Sequence, residues 1–317
     1  MAQAAVAIPR VAALPGSLAR LFRSRAMFAF SLCLPLVIVV VGLVIYPAIW
    51  ALFLAMLNKA QTKFVGLDNF EFLLRGFRKF PEVKWGDTFI LVMLQSIGFT
   101  LSAVLLKSVG GLSAALLVNN LPQRGQRFWR GILLVAWVSP PALSSLGWWW
   151  IFDPTHSALN WAAVRLGFDA VPWLSSVMWA RICMVIVGVW YGLPFFMIMY
   201  LAALKSIPQE LYDAAAIDGA NPLQRFRFVT FPMMLNIIMV VMMFSTIVTF
   251  ATFDIVWVLT QGGPRNTTHM FATYSFKTGI QSGDLPLGAA ISLFMVPVLA
   301  IAAFFVLRNV RRRVAEM

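Results

Sequence analysis

Charged side chains are scarce in this sequence. Of its 317 residues only 12% are Asp, Glu, Lys or Arg, where a soluble domain carries about 25%. That shortage excludes a water-soluble globular fold. With 61% hydrophobic residues and a mean hydropathy of +0.83, the chain reads as an integral membrane protein. Cysteine is nearly absent too: Cys33 and Cys183 both fall inside apolar runs, which argues against a disulfide framework and leaves them as packing residues. The two histidines, His156 and His269, stand alone in separate loops and do not make a metal site. Also missing are a phosphate-cradling GxxxxGK[ST], an HExxH zinc helix and a nucleophile elbow. The chain therefore has no recognisable means of hydrolysing ATP or a substrate, no cofactor or metal is expected on it, and it reads as a non-enzyme. Energy must come from a partner or a gradient.

What is present is a set of apolar runs. A bilayer core about 30 Å thick needs roughly 20 apolar residues in a helix. Six runs qualify: Met27–Leu57, Thr88–Val118, Gly131–Phe152, Val177–Leu204, Met233–Thr260 and Leu287–Leu307. An even number places both termini on one side. Fourteen Lys and Arg residues fall on the side of the termini and nine on the other, so the positive-inside rule puts both termini in the cytoplasm. The net charge of +13 would suggest nucleic acid in a soluble protein. Here it clusters at span ends, beside anionic lipid headgroups, and no nucleic-acid partner is expected. The first run is too long for a signal-peptide core and is expected to stay as an anchor.

One polar island interrupts this pattern. Ser206 to Pro232 reads SIPQELYDAAAIDGANPLQRFRFVTFP and carries Glu210, Asp213, Asp218 and Arg225 between two spans. Ser206 and Gln209 have capping-box spacing, and Pro208 suits a first helical turn. Glu210 to Ala216 favours helix, and Gly219 can take the left-handed conformation that ends one. Asn221 and Pro222 repeat the start signal. The expectation is helix, glycine elbow, helix, with Ala214, Ala215 and Ala216 keeping the first helix thin enough for another protein to approach.

Inside the spans, polar or helix-breaking residues stand out. Lys107 lies deep in the second run, where an ionisable group costs at least about 2.5–3.5 kcal/mol unless solvated or paired; it either faces a cavity or snorkels to the cytoplasm. Gly110, Gly111 and Ser113 beside it permit close helix packing. Pro140 and Pro141 predict a kink in the third run, and Trp148, Trp149 and Trp150 read as interface anchors. The fourth run begins near Arg181 and continues GVWYGLPFFMIMY, interrupted at Gly192 and Pro194. Tyr191 and Phe195 share a face, with Trp190 offset from them, an arrangement that serves either sugar stacking or helix packing. In the fifth run Ser245, Thr249 and Thr252 form a hydroxyl stripe, suited to a polyhydroxylated ligand or to bonds with their own helix. Asp254 follows, free to pair with Lys107 or Arg181 or to reach external water. FVGLDNFEFLL, Phe64 to Leu74, alternates like a short surface helix, and Gly262, Gly263 and Pro264 carry turn chemistry.

YDAAAIDGA with Phe226 and Pro232 resembles the EAA loop of bacterial ABC importer permeases. FVGLDNF, the WVSPP to WWWIFD segment, VWYGLPFFM and FDIVWVLTQGGP extend the resemblance over most of the chain, to the carbohydrate branch of maltose and glycerol-phosphate permeases. The resemblance implies an all-α integral membrane fold, six transmembrane helices of the type I ABC importer permease. Its parts would be a cytoplasmic tail (1–25), a six-span permease domain (26–307) with its coupling loop (206–232), and a basic cytoplasmic tail (308–317). By the same resemblance the loop docks on an ATPase through Glu210, Asp213, Ala214, Ala215 and Gly219, although the family more often has Glu where Asp213 stands. A sugar site would comprise Trp190, Tyr191, Gly192, Phe195, Ser245, Thr249 and Thr252. The implied partners are a second permease subunit, an ATPase dimer holding ATP and Mg, an extracytoplasmic solute-binding protein and a carbohydrate, in the bacterial inner membrane. The competing class is a gradient-driven secondary transporter that uses Lys107 and Asp254 as a relay.

Overall fold

The computed structural model describes residues 25–75, 88–153 and 155–314. Residues 1–24, 76–87, 154 and 315–317 lie outside the described residues, with the readings that fall on them. The chain divides into two units, Met1–Phe53 and Leu54–Met317. In the first, α1 (Arg25–Val40) passes through a π-helical turn (Val41–Ile45) into α2 (Tyr46–Ala55). The apolar stretch Ala29–Ala55 is 27 residues long, about 40 Å of helix, which matches the first expected span.

The second unit starts with a tight turn in which Asn58 Oδ1 accepts from the Thr62 and Lys63 amides. Asn69 Nδ2 then donates to the Ala55 and Leu57 carbonyls, seating α3 (Asp68–Leu74). The expected surface helix is thus shorter than its alternating pattern, and it packs inward: Leu73 is buried and Phe70 lies 5.8 Å from the Phe294 ring.

The core is the pairing of α4 (Thr88–Asn119) with α8 (Val177–Lys205), the most extensive helix contact in the protein. Small residues make it close. A Cβ on Gly111 would lie 2.4 Å from Phe196 Cβ, and one on Gly188 would lie 3.2 Å from Phe99. Gly110 and Gly111 therefore serve the packing read from the sequence. Ser113 does not: it is exposed and donates to its own Val109 carbonyl.

The third expected span is two helices. α5 (Gln123–Val138) and α6 (Pro141–Ile151) meet at 93° across Ser139 and Pro140. Each proline pushes its predecessor out of the helical region, and Ser139 and Pro140 are extended, with ψ 139 and 128. Two consecutive prolines therefore break the helix where one would kink it. A short α7 (Ala158–Arg165) follows, with Ser157 as its N-cap.

After α8 come α9 (Gln209–Ile217) and α10 (Pro222–Arg225), the latter running through a π turn (Phe226–Thr230) into α11 (Phe231–Phe250). The fifth span is continuous from Pro222 to Phe250, not Met233 to Thr260. Its start moves back because the Asn221 cap opens a helix that runs on through the π turn and Pro232 without ending. Its end moves back because the last turn tightens, Thr252 N donating to the Thr249 carbonyl. α12 (Asp254–Leu259) is then separate.

The closing segments are α13 (Phe271–Phe276), a π turn (Lys277–Gln281), α14 (Leu285–Leu293) and α15 (Met295–Val314). Gly279 and Gly288 bring the two sides together, a Cβ on Gly288 meeting Gly279 Cα at 2.6 Å. Among the described residues four helices are long and apolar enough to span a bilayer, five with the bent pair. The sixth run appears as the shorter apolar helix Leu285–Ile301.

Candidate functional site

Two places among the described residues bear on the expected sites. The first is the loop after α8. Its opening differs from the capping box expected of Ser206 and Gln209. Ser206 closes α8 instead, its Oγ donating to the Ala203 carbonyl at 2.8 Å, and Pro208 stands at the N-cap of α9 without a side-chain cap. Proline at 208 holds the backbone extended just before the helix, so the start shifts two residues on.

The rest of the loop follows its local chemistry closely. Gly219 has φ +75, a conformation that an L side chain adopts only at a cost of about 1–2 kcal/mol. Around it Ala220 N donates to the Ala215 carbonyl at 2.9 Å and Gly219 N to the Ala216 carbonyl at 3.1 Å, the paired bonds of a Schellman C-terminus. Asn221 and Gln224 then form a reciprocal capping box at 2.9 and 2.8 Å, with Pro222 in the first turn. Two latches hold the hairpin: Tyr212 Oη and Thr230 Oγ1 lie 3.0 Å apart, and Arg225 Nε donates to the Ala220 carbonyl at 2.9 Å.

The loop leaves large apolar side chains uncovered beside its charged ones. Ile217 is 86% exposed, Leu223 75% and Phe228 70%, while Glu210, Asp213, Ala214 and Gly219 are also exposed and Ala215 is half-buried. A buried glutamine outside the expected site braces the base of this surface. Gln126 Oε1 accepts from Lys205 Nζ at 2.7 Å and from Arg130 at 3.2 Å, while its Nε2 donates to the Asn119 and Leu121 carbonyls. It ties the end of α4, the start of α5 and the end of α8 to one another. No sequence signal marked it, since it sits in a basic run that reads as a solvated span end.

The second place lies inside the membrane helices. Lys107 of α4, Gly192 of α8, and Ser245 and Thr249 of α11 meet there. Lys107 is 6% exposed and its Nζ donates to Thr249 Oγ1 at 2.9 Å. The lysine stem lies in the notch that Gly192 leaves: a Cβ there would meet Lys107 Cε at 2.7 Å and Cδ at 2.8 Å. Ser245 and Thr249, both buried, have their hydroxyl oxygens 3.5 Å apart. Of the two readings left open for Lys107, the inward one is observed. The lysine side chain turns into the helix packing, onto Thr249, instead of running along α4 towards the helix end.

The other expected site residues have surroundings of their own. Trp190 meets Trp148 edge-on at 5.7 Å, and Trp148 stacks on Phe152 at 5.3 Å, so Trp148 is a packing residue as well as a member of the tryptophan run. Phe195 stacks on Trp137 at 5.7 Å and lies 5.4 Å from Phe244. Tyr191 is half-buried. Thr252 donates to its own Val248 carbonyl at 3.4 Å and stands apart from the Ser245–Thr249 pair. Asp254 is exposed, and among the described residues it forms no ion pair with Lys107 or Arg181. Arg181 instead donates to the Thr267 carbonyl at 3.3 Å.

Comparison with known proteins gives a consistent result. A family model described as binding-protein-dependent transport system inner membrane component matches residues 107–316. The trehalose/maltose transport system permease protein MalF of Thermococcus litoralis is 32% identical over 272 residues, covering 84% of this chain and 88% of its own. The sulfoquinovosyl glycerol transport system permease protein SmoG of Agrobacterium fabrum is 29% identical over 292 residues, covering 90% and 91%. Among solved structures, a chain of a bacterial ABC transporter involved in import of the acidic polysaccharide alginate superposes with a TM-score of 0.79 at 21% identity, covering 93% of this chain and 99% of that one. At that identity the match speaks for the fold.

Proposed function

This chain belongs to the family of binding-protein-dependent transport system inner membrane components, and from that premise we propose that it is the membrane subunit of an ATP-driven carbohydrate importer. The observation that carries the reading is the loop: a doubly capped helix hairpin that joins two membrane-spanning helices and presents Ile217, Leu223 and Phe228 to a partner. The chain has no nucleotide motif, so force must enter from outside, and this surface is where a cytoplasmic ATPase would push. α9 would dock through Glu210, Asp213, Ala214 and Ala215, with Gly219 as the elbow and α10 as the rigid start of α11. Both termini would then be cytoplasmic, ATP and Mg would reside on the ATPase, and no covalent step would fall to this chain.

The relatives named for maltose, trehalose and sulfoquinovosyl glycerol support a carbohydrate cargo. Ser245 and Thr249 of α11, opposite Gly192 of α8, are the residues best placed to meet its hydroxyls. A second permease subunit would close the other side, and a solute-binding protein would deliver the sugar. The gradient-driven alternative loses support because Lys107 and Asp254 are not in contact. The test is ATP hydrolysis by the assembled complex with its binding protein. A carbohydrate should stimulate it, whereas stimulation by amino acids alone would overturn the carbohydrate assignment.

A further inference from the structure

We infer that Lys107 selects for cargo carrying an oxyanion, so that the transported carbohydrate is acidic. The inference rests on the substrate-site reading above and concerns the chemistry of that same site. A lysine ammonium has three N–H donors, and here one is used, on the neutral Thr249 hydroxyl. Among the described residues no Asp or Glu forms an ion pair with it. A charge so placed inside a membrane protein is costly and is ordinarily paired. The Lys107 side chain is turned inward onto Thr249 and does not snorkel.

The setting is also specific. The notch at Gly192 seats the lysine stem, and Nζ lies against Thr249, whose hydroxyl is 3.5 Å from that of Ser245. The hydrogen-bond partner Thr249 and the notch residue Gly192 both belong to the proposed sugar site. A cation with two unused donors, flanked by two hydroxyls, matches a sugar that carries a carboxylate or sulfonate beside its own hydroxyl groups. Such a cargo supplies the missing counter-charge on binding and takes it away on release. A neutral sugar can only accept hydrogen bonds from the ammonium, and charge-assisted bonds are the stronger by about twofold.

The experiment is equilibrium binding of two size-matched probes, a radiolabelled mannuronate trisaccharide and neutral mannotriose, to the complete complex in nanodiscs at low salt. The wild-type complex should bind the uronate about tenfold or more tightly than mannotriose. Lys107→Met, of similar length, should reduce that ratio to near one, chiefly by weakening the uronate. Lys107→Arg should keep a preference for the acidic probe, with co-purification of the ATPase and an unshifted thermal midpoint reporting intact assembly. If wild type prefers mannotriose, or binds both equally, the inference is wrong and the carbohydrate reading stands; a carboxylate from the second permease subunit would produce that outcome. An unchanged ratio in Lys107→Met also overturns it. Failure to bind either probe would overturn the substrate site itself, together with this inference.

Discussion

The loop from Ser206 to Pro232 and the Lys107 cluster are both polar features in an apolar chain, yet they are built in opposite ways. The loop is made from neighbours in sequence: a Schellman turn at Gly219, a capping box between Asn221 and Gln224, a latch from Tyr212 to Thr230. The cluster is made from residues 85 or more positions apart on two of its sides, Lys107 reaching Thr249 across 142 residues. Local rules determine the first. Only the packing of α4, α8 and α11 produces the second. In the proposed role the loop is a surface that is pushed, and short-range caps supply the stiffness this needs. The proposed sugar site, drawn from separate helices, has contacts that can be broken.

The sharpest way to break this contrast is at the elbow. Gly219→Val places a β-branched side chain at φ +75, a genuinely disfavoured conformation, and should abolish both pull-down of the ATPase and sugar-stimulated hydrolysis. Gly219→Asn, which tolerates the left-handed region, should retain most of each. Equal losses in both variants would show that the side chain, not the backbone, is the cause.

Next in size is the cluster. Thr249→Val removes the acceptor of a buried ammonium and should cost about 1–3 kcal/mol, the penalty for an orphaned buried polar group, read as a lower thermal midpoint of the complex. The double variant Lys107→Met, Thr249→Val should recover part of that loss, because the two residues are coupled. Strict additivity would mean that they act independently.

A third region serves as a control, since it belongs to neither. His269 is fully buried in the loop between α12 and α13, its ring occupying the space a Cβ on Gly262 would need. Burial, aided by the Lys277 charge, lowers its pKa from 6.5 to about 4. The folded state therefore holds the neutral ring, and the unfolded chain takes up a proton first as pH falls. Stability from this group is full above about pH 6.5 and is lost progressively as pH falls towards 4. Thermal midpoints measured across that window should fall in wild type and flatten in His269→Gln, with the loop and the cluster unaffected. The smallest effect is expected from Tyr212→Phe, which deletes one half-exposed latch worth about 0.5–1.5 kcal/mol and should loosen coupling without abolishing it, seen as a modest fall in stimulated hydrolysis.

The same contrast explains what could be read in advance. Gly219, Asn221 and Pro222 were legible because their signals act within four residues. Most of the apolar runs were legible because bilayer thickness sets their length. Ser206 misled because Pro208 delayed the helix start that its spacing suggested. The interruption of the third span was legible in Pro140 and Pro141, although as a kink and not as a 93° break, whereas the fifth span misled because the break after Phe250 carries no such signal and hydropathy does not register it. Trp190 and Phe195 carried a sugar-stacking pattern, but their partners, Trp148 and Trp137, come from a helix pair whose 93° bend sets their positions. Lys107 was visible as an anomaly, and Gly192, Ser245 and Thr249 as candidates, but nothing in the sequence joined them.

The central claim is that an external ATPase drives transport through the 206–232 loop. The direct measurement is sugar accumulation in proteoliposomes containing the complete complex and its binding protein, with ATP inside or with a proton gradient alone. The account predicts uptake that requires ATP and disappears in Gly219→Val. Accumulation by this chain alone, on a proton gradient and without nucleotide, would contradict it.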